Sequence, residues 1–535
     1  MTRPKRRCQG TPYPQRAGRE SNHVTSSHRQ ILRSSWIIGG ASLINIVVGV
    51  LRQKALALLL GPAGVGLVGL FQSVVTMCAA VAGMGVGNAG TRQIAEAAGD
   101  GDPRRLAVAR KALFRLTLLL ALVGAAALWL LRHSLAEAVF RDPAAAASFG
   151  ILALAVALTI GAASQLALLV GMQRIGDVAR VTVLSALVST VAGVAAVALY
   201  RERALLFFVV SAPIAAIAVG WIYTARLAGG RAPSVRTAEL APQWRAMLAL
   251  GIAATVAGLA STGSQLVARA WIQRELGPVP LGAFQAASVI TVTYLGFVLQ
   301  AMSTDYYPRL TKAIGDRAAA NRLVNEQAEI ALMLGGPILL VMMGAAPAAV
   351  TILYSSKFAG AADLLRIQVF ADVLRLMSWP LGYLLLALGA GKTYVAAESA
   401  VAAVFLLLLV GFVGPVGLEG AGLALVGMYL AYLPFVTLAA RRFTGFRWAP
   451  AVLGVAAVLL ALCAATYALT WFGNLAAFAG GCLSAAAFAL LSLHRLRSHM
   501  PERLSKGLAP LYRLQERLKS VLPWARERSR RNEGR

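Results

Sequence analysis

The sequence predicts an all-α polytopic membrane protein of about fourteen transmembrane helices: two parallel six-helix halves plus about two extra C-terminal spans. Three observations carry that expectation. Apolar runs of helix-spanning length recur from one end of the chain to the other. Lys and Arg concentrate in alternate connections, and a block of sequence returns about 216 residues later.

Of the 535 residues, 58% are hydrophobic and only 14% charged, with a mean hydropathy of +0.68. Soluble domains run at about 45–50% apolar and about 25% charged, so this is membrane composition. A helix needs about 20 apolar residues to cross a hydrocarbon layer of roughly 30 Å. A closed barrel would also satisfy its backbone in lipid, but it would show short alternating strands, and none is seen.

In chain order the first six runs fall at 35–59, 64–91, 112–131, 147–172, 179–199 and 204–225. The next six fall at 246–273, 281–305, 329–353, 362–388, 394–413 and 418–439, and the last two at 448–471 and 475–493. The implied units are a disordered basic tail (1–33), a first half (34–226), a cytoplasmic linker (227–245), a second half (246–440), two additional helices (441–494) and a basic amphipathic tail (495–535). In that last tail Leu504, Leu508, Leu511, Leu514 and Leu518 have helical spacing, suited to an anionic lipid surface or to a solvated helix. No cleavable signal peptide is expected, because the first apolar run is too long and too late.

The net charge of +29 does not point to nucleic acid. The basic residues sit in the tails and in alternate loops, such as Arg92, Arg104, Arg105, Arg110 and Lys111, or Arg309, Lys312, Arg317 and Arg322. Cytoplasmic loops carry this excess, so both ends are expected in the cytoplasm. The repeat pairs LGPAGVGLVGLFQS (60–73) with LGPVPLGAFQAAS (276–288), and TRQIAEAAGD (91–100) with PRLTKAIGD (308–316). Six spans separate the copies, so the halves should be parallel, with a substrate path between them.

Enzyme motifs fail. GAGKT (389–393) has Leu386 where a phosphate-binding loop needs Gly, and no strand precedes it. Gly83, Gly85 and Gly87 lie inside a span, where small residues serve helix packing. Cys8, Cys78, Cys463 and Cys482 form no CxxC pair, so neither a metal site nor a disulfide framework is expected, and no cofactor.

Charge inside the spans is the unusual feature. An ionisable group at bilayer depth costs about 2.5–3.5 kcal/mol on insertion scales and generally faces a cavity or a partner. Arg52 and Lys54, Arg269 and Arg274, and Arg366 and Arg375 place cations on three helices. Together they suggest a positively charged cavity for an anionic substrate; the alternative is that each snorkels outward or neutralises a carboxylate. Asp372 can pair with Arg375 one turn away. Asp372, Glu398 and Asp305 are the candidate coupling or pairing carboxylates, with coupling to a proton or sodium gradient as the chemistry they offer. Asn88, Gln72 and Gln285 are candidate polar lining, alongside Gln165, Gln265 and Gln300, and each could equally bond a neighbouring helix.

Three segments resemble a known family: KALALLLGPAGVGLVGLFQSVVTMCAAVAGMGVGNAGTRQIAEAAGD (54–100), STDYYPRLTKAIGD (303–316) and YSSKFAGAADLLRIQVFADVLRLMSWPLGYLLLALGAGKTYVAAES (354–399). They are similar to Wzx-type flippases of O-antigen and enterobacterial common antigen (lipid III) units. These belong to the polysaccharide transport family of the multidrug/oligosaccharidyl-lipid/polysaccharide (MOP) exporter superfamily. The likeness runs over about residues 30–442. It implies translocation of an undecaprenyl-diphosphate-linked oligosaccharide from the cytoplasmic to the periplasmic leaflet of the inner membrane, without catalysis. Membrane lipid surrounds the path, and a polysaccharide polymerase and a chain-length regulator are the implied protein partners. Lys54, Asn88, Arg274, Gln285, Lys357, Asp372 and Glu398 stand where family members carry like residues, and Arg375 where a basic one is usual. The two spans after residue 447 depart from the pattern and keep lipid II flippases of the same superfamily as an alternative. A drug/cation antiporter is the alternative of another class.

Overall fold

A glycine followed by a proline turns the chain twice, and these two turns organise the molecule. Gly61 (φ 67°, ψ −166°) sharply bends the long helix α1 (Glu20–Gly83). Gly277 (φ 87°, ψ −174°) separates α8 (Ala241–Leu276) from α9 (Pro278–Ala313). Positive φ suits a residue without a Cβ, and Pro62 and Pro278 then pre-set the first turn of the following helix. The two turns are 216 residues apart, the offset of the sequence repeat. The computed structural model describes residues 20–227 and 239–496.

The second arm of α1 and α9 cross at Gly66 and Gly282, again 216 residues apart. A Cβ on Gly66 would meet the Gly282 nitrogen at 2.6 Å and the Pro278 carbonyl oxygen at 2.8 Å. A Cβ on Gly282 would strike the Pro62 carbonyl. Each helix thus buries a glycine under the other's first turn. This reciprocity is the contact a two-fold relation between the segments produces.

Around that crossing the first half comprises α1, α2 (Val86–Gly99), α3 (Pro103–Leu130), α4 (Arg132–Phe140), α5 (Ala146–Gly171), α6 (Ile175–Tyr200) and α7 (Leu205–Ala225). The second half comprises α8, α9, α10 (Arg317–Leu353), α11 (Ala359–Ala387), α12 (Gly391–Val416) and α13 (Leu418–Thr444). The last helices, α14 (Pro450–Ala468) and α15 (Asn474–Leu496), pack on α10 and α11. All regular elements among the described residues are helical.

Among the described residues, eleven stretches have the length and apolar composition of membrane spans. Two of them hold two helices each: one covers both arms of α1, the other α6 and α7. The 36-residue α8 adds a further helix of spanning length. The fourteen expected spans are therefore all present as helices. The surface fits: large apolar side chains point outward, Leu407 74% and Leu483 71% exposed, as lipid contact requires. This is a multi-pass membrane protein.

Details differ from the sequence expectation. Helix α1 begins at Glu20, inside the segment expected as a disordered tail. The span expected over 64–91 is broken at Met84 and Gly85 (φ 44° and 62°). Helix α8 starts at Ala241, inside the expected linker. The short α4 was not anticipated, since it is too brief to leave a spanning signature. The leucine-spaced segment of the basic C-terminal tail lies outside the described residues.

The halves touch at both ends. At the Gly61 end the Lys54 Nζ donates to the Thr351 carbonyl (2.9 Å), Arg274 to the Ala138 carbonyl (3.2 Å), and Arg141 pairs with Glu275 (3.2 Å). At the other end Gln93 of α2 donates to the Gln243 carbonyl (3.1 Å), and the Trp244 indole to the Ala112 carbonyl of α3 (3.0 Å). Helix α8 is thus tied to the first half at its start, yet runs alongside α9 and α12 farther on.

Candidate functional site

Two cavities adjoin one another, and Gln72 lines both. The larger, about 480 Å³, is walled by α1, α7, α9 and α10. Most of its lining is apolar, including Ile46, Val50, Val289, Ile290, Met342 and Leu353. Its polar groups are Arg52, Gln53, Gln72, Thr293, Tyr294 and Tyr354. The smaller, about 170 Å³, is polar and lies where α1, α8 and α9 meet. Gly69, Gln72, Ser73 and Thr76 come from α1, Thr262, Gln265 and Arg269 from α8, and Gln285 from α9.

Local sequence explains the polar chamber. Gln72, Ser73 and Thr76 follow Gly69 at helical spacing, so one face of the second arm of α1 presents amide and hydroxyl groups. Gly69 itself leaves room for the Gln285 side chain, which a Cβ there would strike at 2.5 Å. On α8, Thr262, Gln265 and Arg269 fall at three- and four-residue intervals on one face.

Arg269 is 9% exposed. Its Nε donates to Gln285 Oε1 (2.9 Å) and its Nη1 to the Gln265 carbonyl (3.1 Å). Arg52 lies over the Phe208 ring, 4.2 Å from its centroid, and its Nη2 donates to the Phe208 carbonyl (3.0 Å). The Nε of Arg52 and the hydroxyl of Tyr354 are buried on the lining of the larger cavity without a hydrogen-bond partner among the described residues. Neither arginine has a carboxylate within ion-pair distance among the described residues. Removing an isolated charge from water costs several kcal/mol, so such cations gain when an anion arrives.

The remaining sequence-predicted residues go elsewhere, and four of the cations, Lys54, Arg274, Arg366 and Arg375, are corrections to the single cationic cavity. Lys54 spends its ammonium on the Thr351 carbonyl and bridges α1 to α10. Arg274 lies at the helix end beside α4 and Glu275. Arg366, 4% exposed, pairs with Asp363 (3.1 Å) and donates to Asn474 Oδ1 of α15 (2.9 Å), so it faces the added helices. Asp305 is 74% exposed at its side chain and pairs with Arg309 one turn on (3.0 Å). Asn88 is exposed on the first turn of α2, and Lys357 is exposed in the short turn before α11.

Asp372, Arg375 and Glu398 form a separate cluster inside the second half. Asp372, 3% exposed, accepts from the Tyr294 hydroxyl at 2.6 Å, and Glu398 accepts from Tyr432 at 2.9 Å. The expected Asp372–Arg375 pair does not form, because Asp372 turns to α9. The Arg375 guanidinium stands among Tyr429, Asp372, Tyr294 and Glu398, with no hydrogen bond or ion pair among the described residues. Sequence reasoning missed Phe208, Tyr294 and Tyr354. Aromatic residues in apolar runs carry no local sign of lining a cavity.

The sequence and its fold have known relatives. The family model described as "Polysaccharide biosynthesis protein" matches residues 30–314, more than half of the chain. The chain belongs to that family. It is 24% identical over 418 residues to the lipid III flippase of Escherichia coli (strain K12), covering 75% of this chain and 96% of that one. Among solved structures it resembles the lipid II flippase MurJ in an inward closed conformation: TM-score 0.65, 13% identity, 86% of this chain and 99% of that one. It also resembles an inward-facing multidrug-resistance MATE family transporter of the MOP superfamily: TM-score 0.58, 17% identity, 75% and 95% covered. The fold is therefore one that the chain shares with the MurJ and MATE structures.

Proposed function

We propose that the protein is a flippase carrying an undecaprenyl-diphosphate-linked oligosaccharide from the cytoplasmic to the periplasmic leaflet of the inner membrane, with both termini cytoplasmic. One observation carries this reading. Two guanidiniums, half-buried Arg52 from the first half and buried Arg269 from the second, open on adjoining cavities without a carboxylate partner among the described residues. A diphosphate offers the anionic oxygens they lack, and Arg binds such groups through several donors at once. The apolar wall beside Arg52 suits the prenyl chain, and the amide and hydroxyl groups beside Arg269 suit sugar hydroxyls. Likeness to the lipid III flippase and membership in a polysaccharide biosynthesis family support the same substrate class.

The mechanism follows from the two ends. The halves are tied by contacts at the Gly61 end and at the Gln93–Trp244 end, and loosening one set while keeping the other would expose the site to one side at a time. No covalent bond is made or broken, so no catalytic residue is required. Asp372 and Glu398 are the candidates for coupling the cycle to protons or sodium ions. A polysaccharide polymerase and a chain-length regulator are the protein partners this function brings with it. A drug or cation antiporter fits less well, since both linings hold arginines and no carboxylate.

A lipid II flippase is the second reading, favoured by the breadth of the MurJ likeness, 86% of this chain. Leaflet-to-leaflet transfer in proteoliposomes tests both. The expected result is transfer of a fluorescent undecaprenyl-diphosphate-linked oligosaccharide without a peptide, reduced at least about tenfold by Arg269→Ala. Transfer of lipid II alone would favour the second reading, and transfer of neither would end both.

A further inference from the structure

Helix α9 is a shared wall. Val289, Ile290, Thr293 and Tyr294 line the larger cavity, while the helix also faces α11 through two polar contacts one turn apart. Thr291 Oγ1 donates to Gln368 Oε1 (3.0 Å), and the Tyr294 hydroxyl donates to Asp372 Oδ2 (2.6 Å). Thr291, Gln368 and Asp372 are all buried. Tyr294 therefore belongs to both sides: its side chain forms cavity wall, and its hydroxyl is the hydrogen-bond partner of a buried carboxylate.

We propose that Tyr294 is the positioning residue that links occupancy of the larger cavity to the proton on Asp372. A short hydroxyl-to-carboxylate bond is charge-assisted. Adding a proton to the carboxyl removes that assistance and frees the Tyr294 ring to shift on the cavity wall. A ligand pressing on the ring acts in the opposite direction along the same bond, weakening the hold on the ionised form. Linkage makes the two effects equal: whatever factor the proton applies to ligand affinity, the ligand applies to proton affinity.

The groups facing Asp372 set the direction. Tyr294 approaches from α9, Arg375 from its own helix, and Tyr429 from α13, with Glu398 of α12 beyond Arg375. Helices α10 and α14 meet α11 through an apolar core that includes Val369, Val373, Met343, Leu459 and the Cys463 thiol. An anionic ligand in the cavity disfavours a second negative charge behind its wall, so binding should tighten as pH falls. This rests on the flippase reading only for the identity of the occupant.

The test uses the full chain in nanodiscs, with its native cysteines replaced by alanine and an environment-sensitive dye on Thr293→Cys. The dye emission is followed from about pH 5 to about pH 9, the range in which a single proton step can be resolved. It should titrate in the parent and stay flat in Tyr294→Phe, which keeps the ring, and in Asp372→Asn, which keeps a hydrogen-bond acceptor. In the same preparations without the dye, affinity for undecaprenyl diphosphate should rise by up to about tenfold per unit fall in pH in the parent. That rise should be smaller in both variants, the ligand's own ionisation being common to all three. Emission that titrates in Tyr294→Phe as in the parent, or that never titrates in the parent, overturns the proposal. A dye that titrates in the parent and not in Tyr294→Phe, in a protein that binds no undecaprenyl diphosphate, supports the coupling of Asp372 to the cavity wall and overturns the substrate reading instead.

Discussion

Arg269 of α8 donates its Nε to Gln285 of α9 at 2.9 Å, and Gly69 of α1 lies against the same glutamine. Three helices from both halves thus converge on one buried cation. A glutamine oxygen orients the guanidinium without neutralising it, so the charge is free for a ligand. A carboxylate at position 285 would cancel it.

The glycine crossing is the first point of test. Gly282→Ala puts a methyl group on the Pro62 carbonyl, and overpacking of this kind costs about 1–3 kcal/mol. Thermal unfolding in detergent should show a lowered midpoint for Gly282→Ala and for Gly66→Ala. Gly258→Ala, where a Cβ meets nothing within 4 Å, should be neutral or slightly stabilising, since alanine favours helix by about 0.5–1 kcal/mol.

A second expectation concerns the added helices. Arg366 joins α11 to α15 through Asn474, and a small-residue contact at Gly344 and Gly481 brings α10 against α15. Arg366→Met should lower stability by about 1–3 kcal/mol, because Asn474 Oδ1 and the Met343 carbonyl lose a charged donor. Ligand affinity should be unchanged in equilibrium binding, which separates this cation from Arg52 and Arg269.

The Gly61 end supplies a third. Arg141–Glu275 is partly exposed, and such pairs contribute about 0.2–1 kcal/mol. Glu275→Gln should shift the population toward opening at that end by a few-fold at most. Spin–spin distances between labels on α4 and the end of α8 would read the shift. Raising salt from about 0.1 M to about 1 M should mimic part of it, since screening shortens from about 10 Å to about 3 Å.

Much of the fold was legible in the sequence for a physical reason: a membrane crossing demands a long apolar run, and Gly61-Pro62 and Gly277-Pro278 mark the repeat in plain view. The site was legible in part. Arg52, Arg269, Gln72 and Gln285 could be picked out because charge and amides are costly in hydrocarbon. Lys54, Arg274, Arg366 and Asp305 carry the same signature, yet their partners are a carbonyl, a helix end, α15 and Arg309. Periodicity reports which face of a helix is polar and not which neighbour meets that face. Tyr294 was missed for the converse reason, since its ring belongs among apolar residues and only its hydroxyl reaches Asp372.

The most direct measurement is equilibrium binding of two lipids that differ only in the head, undecaprenyl diphosphate and undecaprenol, to the protein in nanodiscs. Arg52→Ala and Arg269→Ala should each weaken the diphosphate by at least about tenfold, the loss of roughly one charged hydrogen bond or more. Undecaprenol should bind the parent and both variants alike. Equal diphosphate affinity in the parent and in both variants would contradict the anion site at the centre of this structure.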